Sequence, residues 1–235
     1  MIRSIVLKIK RKENRFYALV YDTAKFLLSF NIPTIKFIHL PLYHLQYFLR
    51  EVFARSVQVL WSIPLFKARC EKVGNNLQLP NGIPYIVGHH LRIILGDNVM
   101  IARSTIGASK IFDEPLLRIG NNSGIGYGTV ISIAKEVVIG DNSMIGPGCL
   151  IMDNDDHPVN PGKRLMREPV DKEDVLPVKI GNNVWIGSNC VILKGVVIGD
   201  NSIVSTHSVV TREVLSNCIY AGYPARPTMR DIDKL

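Results

Sequence analysis

"IGNNVWIGSNCVILKGVVIGDNSIVSTHSVV", Ile180 to Val210, decides the fold. Cut into sixes it reads IGNNVW, IGSNCV, ILKGVV, IGDNSI and VSTHSV, and an aliphatic residue opens every block. One aliphatic side chain in six points inward from the middle of a short strand. Gly and Asn mark the turns, where the chain needs φ > 0 or close approach. A fixed six-residue period is the signature of a parallel β-helix. Three hexapeptides close one triangular coil of 18 residues, the distance from IGNN at 180 to IGDN at 198.

Outward from there, aliphatic–Gly–Asp/Asn–Asn recurs as VGNN at 73, LGDN at 95, IGNN at 119 and IGDN at 139. Spacings of 22, 24 and 20 between the earlier copies place small insertions at corners. The gap of 41 from 139 to 180 is one coil plus 23 residues. The extra residues begin in "CLIMDNDDHPVNPGKRL", Cys149 to Leu165, so an extruded loop is expected near 152–177. The pattern predicts a mainly β chain: a β-helix over 73–227, a helical segment over 1–72 and a tail over 228–235.

The net charge of +8 is unevenly placed. Residues 1–72 hold 13 Lys/Arg and 4 Asp/Glu, and the remainder 15 and 16. The basic segment contains "AKFLLSFNIPTIKFIHLPLYHLQYFLREVFARSVQVLWSIPLF", too rich in Leu, Phe and Ile for a nucleic-acid arm. Lys25, Lys36, Arg50, Glu51 and Arg55 interrupt any spanning run. Two or three amphipathic helices are expected, near 16–30, 34–48 and 48–60, with Pro33, Pro41 and Pro64 at the breaks. Such a segment suits contact with an anionic membrane surface, or packing on its own body or on a second subunit. Four scattered cysteines without CxxC spacing fit reduced thiols in a cytosolic compartment. The stretch "MIRSIVLKIKRKENRF" lacks a long apolar region and a small-residue cleavage site, so no signal peptide is expected.

"HPV" at 157–159, "PVKIGNNVWIGSNCVILKGVVIGDNSIVSTHSVVTREV" at 177–214 and "AGYPARP" at 221–227 resemble the hexapeptide-repeat acyltransferases. Among these the C-terminal half is most similar to the galactoside, maltose and nodulation O-acetyltransferases and to the acetyltransferases of polysaccharide biosynthesis. The resemblance covers about residues 73–227 and implies a left-handed coil, whereas isolated crossovers are normally right-handed. It also implies acetyl-CoA as co-substrate, a homotrimer with sites between subunits, and no metal.

Transfer of an acetyl group from a thioester to a hydroxyl needs a base, because the alcohol must lose its proton as it attacks. Histidine titrates near the working pH. The resemblance makes His157 that base, with direct attack and no acyl-enzyme. Asp153, Asp155 and Asp156 offer orienting or hydroxyl-binding carboxylates, Asp155 and Asp156 being nearest in sequence, and the residues alone leave the choice open. "DNDD" lacks the D-x-D-x-D-G run and twelfth-position Glu of a calcium loop. His89, His90, His157 and His207 lie on scattered coils, unlike the three ligands of a zinc hydratase.

On the donor side the resemblance assigns Trp185, Ser188, Thr206, Thr211, Arg212 and Arg226 to acetyl-CoA, the two arginines suiting its phosphates. Two positions depart from the galactoside-type pattern. Gly126 stands where an asparagine precedes the histidine by one coil, leaving Tyr127 or Ser132 as substitutes, and Met229 replaces a terminal arginine, with Arg230 one step later. The expected acceptor is a sugar hydroxyl of a polysaccharide precursor or lipid-linked saccharide, met at the inner face of the cytoplasmic membrane. Two alternatives share the same residues: N-acetylation of an amino sugar nucleotide, and a non-catalytic β-helical scaffold.

Overall fold

A computed structural model describes residues 2–234 of the chain. It divides into two compact units, Met1–Val52 and Phe53–Leu235.

In the first unit, α1 (Ile2–Arg11) and α2 (Arg15–Ser29) form a hairpin around Lys12, whose φ is +51°. Asn14 caps α2, its side-chain oxygen accepting from the Tyr17 N–H at 2.9 Å. Lys12 Nζ donates to Asp22 Oδ1 at 2.7 Å. Next, α3 (Lys36–Val57) runs through both segments expected to be separate helices. Pro41 does not break it, since one turn from the start it removes only one interior hydrogen bond. α1 was not expected from the sequence. No residue of α2 or α3 is buried, and Leu28 is 88% and Phe37 80% exposed. Among the described residues no helix is long and apolar enough to cross a membrane.

α4 (Ile63–Arg69) follows a π-helical turn at Gln58–Ser62 with helical backbone throughout, so Pro64 does not break the helix and lies beside that irregularity. Phe66 of α4 is 1% exposed and lies in one core with Leu77, Leu79 and Leu91. It closes the first end of the solenoid, as a capping element must. Lys72, at the end of the segment expected to be helical, opens the first strand.

From there the chain winds as a left-handed parallel β-helix with three faces. Face 1 stacks Lys72–Val73, Arg92–Leu95, Leu116–Ile119, Glu136–Ile139, Val178–Ile180 and Val197–Ile198. Face 2 runs from Met100–Ile101 through Gly124–Ile125, Met144–Ile145, Trp185–Ile186 and Ile203–Val204 to Ile219–Gly222, and Ala225–Met229 adds one antiparallel strand. Face 3 stacks Tyr85–Val87, Thr105–Ala108, Val130–Ile133, Leu150–Met152, Val191–Ile192 and Val209–Val210. The inward ladders, such as Ile106, Ile131, Ile151, Ile192 and Val210, are completely or almost completely buried. Each such side chain contributes about 1.5–3 kcal/mol.

The recurring tetrapeptide is explained at the corner between faces 1 and 2. Its third residue accepts the main-chain N–H of the preceding coil: Asn121 Oδ1 from Asp97 at 2.8 Å, Asp141 Oδ1 from Asn121 at 2.6 Å, Asp200 Oδ1 from Asn182 at 2.7 Å. Its fourth residue is left-handed, as with Asn98 (φ +56°) and Asn122 (φ +54°), and donates its side-chain amide to the next asparagine. Glycine stands second because coils touch there. A Cβ on Gly140 would fall 2.6 Å from both Asn182 Oδ1 and Gly181 O.

The corner between faces 3 and 1 has no such ladder among the described residues. A short loop leaves there at 109–115 and a long one at 153–177, between Met152 and Val178 as the spacing predicts. They meet in a small core of their own, Ala134, Val170 and Val175 against Ile111 and Phe112, with the Lys135 and Lys172 ammonium groups 5.7 and 5.3 Å from the Phe112 ring.

Candidate active site

His157 stands at the 3/1 corner, at the root of the long loop, with an exposed side chain. The residues before it are an anchor. Asp153 is fully buried, and its carboxylate accepts from the main-chain N–H groups of Ala134 (2.6 Å), Lys135 (2.7 Å) and Glu136 (2.8 Å) in the preceding coil. Three donors on one buried carboxylate satisfy its charge and tie the loop down. Asp153 is therefore committed to the backbone and is not free to orient the imidazole. Asn154, equally buried, donates to Asp153 Oδ1 at 2.9 Å and accepts from the Asp156 N–H at 2.8 Å. That bond holds Asp156 at φ +58°, and the His157 N–H then donates to the Asp155 carbonyl at 2.6 Å.

The two carboxylates flanking this turn reach opposite ways along the corner. Asp156 Oδ1 accepts from Ser132 Oγ at 2.7 Å, one coil back. Asp155 Oδ2 forms an ion pair with Lys194 Nζ, one coil on. Ser132 is one of the two residues left to replace the missing asparagine near Gly126, and its partner Asp156 directly precedes His157. Gly126 itself is packed against the next coil, where a Cβ would meet Pro147 N at 2.5 Å, so no side chain fits at that position.

The donor-side residues are distributed around the triangle. Thr211 and Arg212 follow Val209–Val210 at the 3/1 corner, exposed and on the same side as His157. Lys194 lies between them and His157, 18 residues, one coil, before Arg212. Ser188 and Thr206 stack at the 2/3 corner, where Thr206 Oγ1 donates to the Ser188 carbonyl at 2.7 Å. Trp185 projects from face 2 with 59% exposure. Arg226, on the antiparallel strand of face 2, donates to the Ala225 carbonyl at 3.0 Å, and no carboxylate among the described residues pairs with its exposed charge. Within one chain, then, His157 and the Ser188–Thr206 pair stand at opposite edges of face 3.

Sequence reasoning singled out neither Lys194 nor Asn154. Coil arithmetic reaches the lysine: Lys194 lies 41 residues after Asp153, the same interval that pairs Leu150 with Val191. Nothing in the sequence marks Asn154, whose role is set by burial.

Thiol chemistry has no opening here. Cys149, Cys190 and Cys218 are all buried. Cys149 is raised by its hydrogen bond with Cys190 and by burial, while the same bond lowers Cys190 to about 7. Cys190 is 0% exposed, so its low value gives no accessible thiolate. The half-buried Cys70 is pushed up to about 11 by desolvation. Among the described residues no three or more His, Cys, Asp or Glu side chains gather as metal ligands.

Residues 177–212 match the sequence model of the family described as bacterial transferase hexapeptide (six repeats). The chain is 35% identical over 137 residues to galactoside O-acetyltransferase of Escherichia coli, covering 55% of this chain and 64% of that protein. With nodulation protein L of Rhizobium meliloti it shares 39% identity over 110 residues, 47% of this chain and 57% of the relative. It thus spans about three-fifths of the length of these curated relatives. Among solved structures, a point mutant of AntD, an N-acyltransferase from Bacillus cereus in complex with dTDP and coenzyme A, superposes with a TM-score of 0.56. That likeness, at 20% identity over 73% of this chain and 90% of the other, concerns the fold. In sequence and in fold alike, this β-helix is of the kind found in the hexapeptide-repeat acyltransferases.

Proposed function

We propose that the chain is an acetyl-CoA-dependent O-acetyltransferase with His157 as general base. The observation that carries this reading is the built turn at the 3/1 corner: an exposed imidazole on a backbone pinned by buried Asp153 and Asn154. The sugar hydroxyl attacks the thioester carbonyl while an imidazole nitrogen takes its proton. The C–S bond then breaks, and the imidazolium returns the proton to the departing thiolate. Asp156 or Asp155 holds the imidazole or a neighbouring hydroxyl of the acceptor. Direct attack is favoured because no accessible thiolate is at hand to carry the acetyl group. Arg212 and Arg226, exposed and without a carboxylate partner in any described ion pair, fit the phosphates of the donor. Trp185, Ser188, Thr206 and Thr211 line its path.

The functional unit is a homotrimer. His157 and Ser188–Thr206 stand at opposite edges of face 3, so one site takes its base from one subunit and part of its donor cleft from the next. The outward row of face 2 (Met144, Trp185, Ile203) is apolar and that of face 3 (Tyr85, Thr105, Val130, Leu150) nearly so, whereas that of face 1 alternates cations with aliphatics: Lys72, Ile94, Arg118, Val138, Lys179 and Val197. Two apolar faces suit two neighbours.

The acceptor is a polysaccharide precursor or lipid-linked saccharide, met at the cytoplasmic face of the membrane. The basic first unit, with exposed Phe26, Leu28 and Phe37, supports peripheral contact there. Each cation near an anionic surface contributes about 1 kcal/mol. The full chain is expected to sediment with phosphatidylglycerol-containing vesicles at low salt, to leave them at high salt, and to ignore pure phosphatidylcholine. Equal binding to both would remove this support.

The central test is His157→Ala, assayed by acetyl-CoA consumption across sugars, sugar nucleotides and lipid-linked oligosaccharides. Turnover should fall by about 10²–10⁴ with the fold intact. Full activity at saturating substrates sinks the proposal.

A further inference from the structure

We infer that Arg164 is the positioning residue for His157, an inference that rests on His157 being the base. Upstream of the histidine the turn is fastened by buried side chains to the preceding coil. Downstream it leaves the β-helix, and the hydrogen bonds that secure the next two residues come from one guanidinium. Arg164 Nη1 donates to the Pro158 carbonyl at 3.0 Å and to the Val159 carbonyl at 2.9 Å. Nη1 carries two hydrogens, and each has an acceptor. Both carbonyls therefore turn toward the guanidinium, which fixes the direction in which the chain leaves His157.

Arg164 is itself held in register. Asn160 caps α5 (Pro161–Leu165), its side chain accepting from the N–H groups of Gly162 (2.8 Å) and Lys163 (3.1 Å). The short helix folds back so that its fourth residue reaches the peptide groups immediately after the base. Lys163, the neighbouring cation, is occupied elsewhere, on Asp171 at 2.6 Å. The interactions joining α5 to the residues after His157 are thus charge-assisted and come from Arg164, and such bonds are the stronger class. A base displaced by about 1 Å can lose 10²-fold in rate. The guanidinium touches no reacting atom and acts through the backbone.

The test compares wild type, Arg164→Ala and Arg164→Lys by the side-chain ¹H–¹⁵N NMR spectrum of the six histidines, with His157→Ala assigning the resonance. In Arg164→Ala the His157 signal should shift and narrow toward a free imidazole while those of His89, His90 and His207 stay put. Arg164→Lys, which keeps a cationic donor, should restore part of the wild-type position. On an acceptor found in the screen above, Arg164→Ala should lower kcat by about 10–100-fold with KM for acetyl-CoA unchanged, and add no further loss in the His157→Ala background. An unmoved His157 resonance, or a lower melting temperature as the sole change, overturns the inference. A fully active His157→Ala overturns instead the assignment of the base, so the two failures are told apart.

Discussion

Two corners of the same triangle are built on opposite principles. At the 1/2 corner successive coils are joined by the same short side chains, an Asp or Asn taking an N–H of the preceding coil and left-handed asparagines such as Asn98 and Asn122 passing an amide to the next. Nothing can be inserted there without breaking the bonds of both neighbouring coils. At the 3/1 corner no repeated ladder runs among the described residues; Asp153, Asp155 and Asp156 each make their own inter-coil bonds at a single level, so the chain can leave and return elsewhere along that edge. Both substantial loops use that freedom, and the exposed histidine, its flanking carboxylates and the Lys194–Arg212 cations collect at that edge. A solenoid's repetition ties one edge together and leaves another free to carry loops.

The contrast is open to direct attack, and the largest effect is expected at the free corner. Replacing residues 154–176 by a short Gly-Asn turn should leave a cooperatively melting β-helix, since each coil depends mainly on its neighbours. Acetyl transfer should fall by more than about 10³, because the base and its supports go together. Loss of β circular dichroism would show that this corner, too, is structural.

A smaller effect is expected where the loop is tied down. Asp153→Asn keeps the shape of the side chain but leaves a neutral oxygen facing N–H groups that a carboxylate now satisfies. The cost should be about 2 kcal/mol, read from the urea midpoint, because bonds to a charged group are worth about 1.5–3 kcal/mol. Stability unchanged within error would mean that the long loop is anchored by its small apolar core instead.

The smallest change is expected within the ladder. Asn122→Ala must hold φ +54° without a side-chain amide and should lose about 1–2 kcal/mol. Asn122→Gly gives up the same amide bonds but not the backbone conformation, so it should lose less. If glycine proves the worse of the two, the ladder is sustained by the amide chain and not by the left-handed turn.

How much of this could be read in advance follows the same line. The inward aliphatics and the Gly–Asp/Asn–Asn tetrapeptide reveal the β-helix because every coil repeats one local demand. The departure point of the long loop was legible too, from an interval of 41 where 18 to 24 was the rule. The helices of the first unit were placed less well. Pro41 marks a break in sequence, yet one turn into α3 the helix continues past it. Within the site, His157 stood out beside its motif, whereas the division of labour among three aspartates did not, since Asp153, Asp155 and Asp156 are chemically alike and differ only in what surrounds them.

The sequence by itself determined the solenoid and the position of its interruption, and it marked out the residues proposed for acyl transfer, because period and residue type are local properties. The tertiary structure alone decided that Asp153 serves the backbone, that Ser132 and Lys194 take up the carboxylates of Asp156 and Asp155, and that Arg164 grips the turn behind the histidine. Those assignments depend on which side chains face one another once the coils are stacked, and such proximities exist only after the chain has wound.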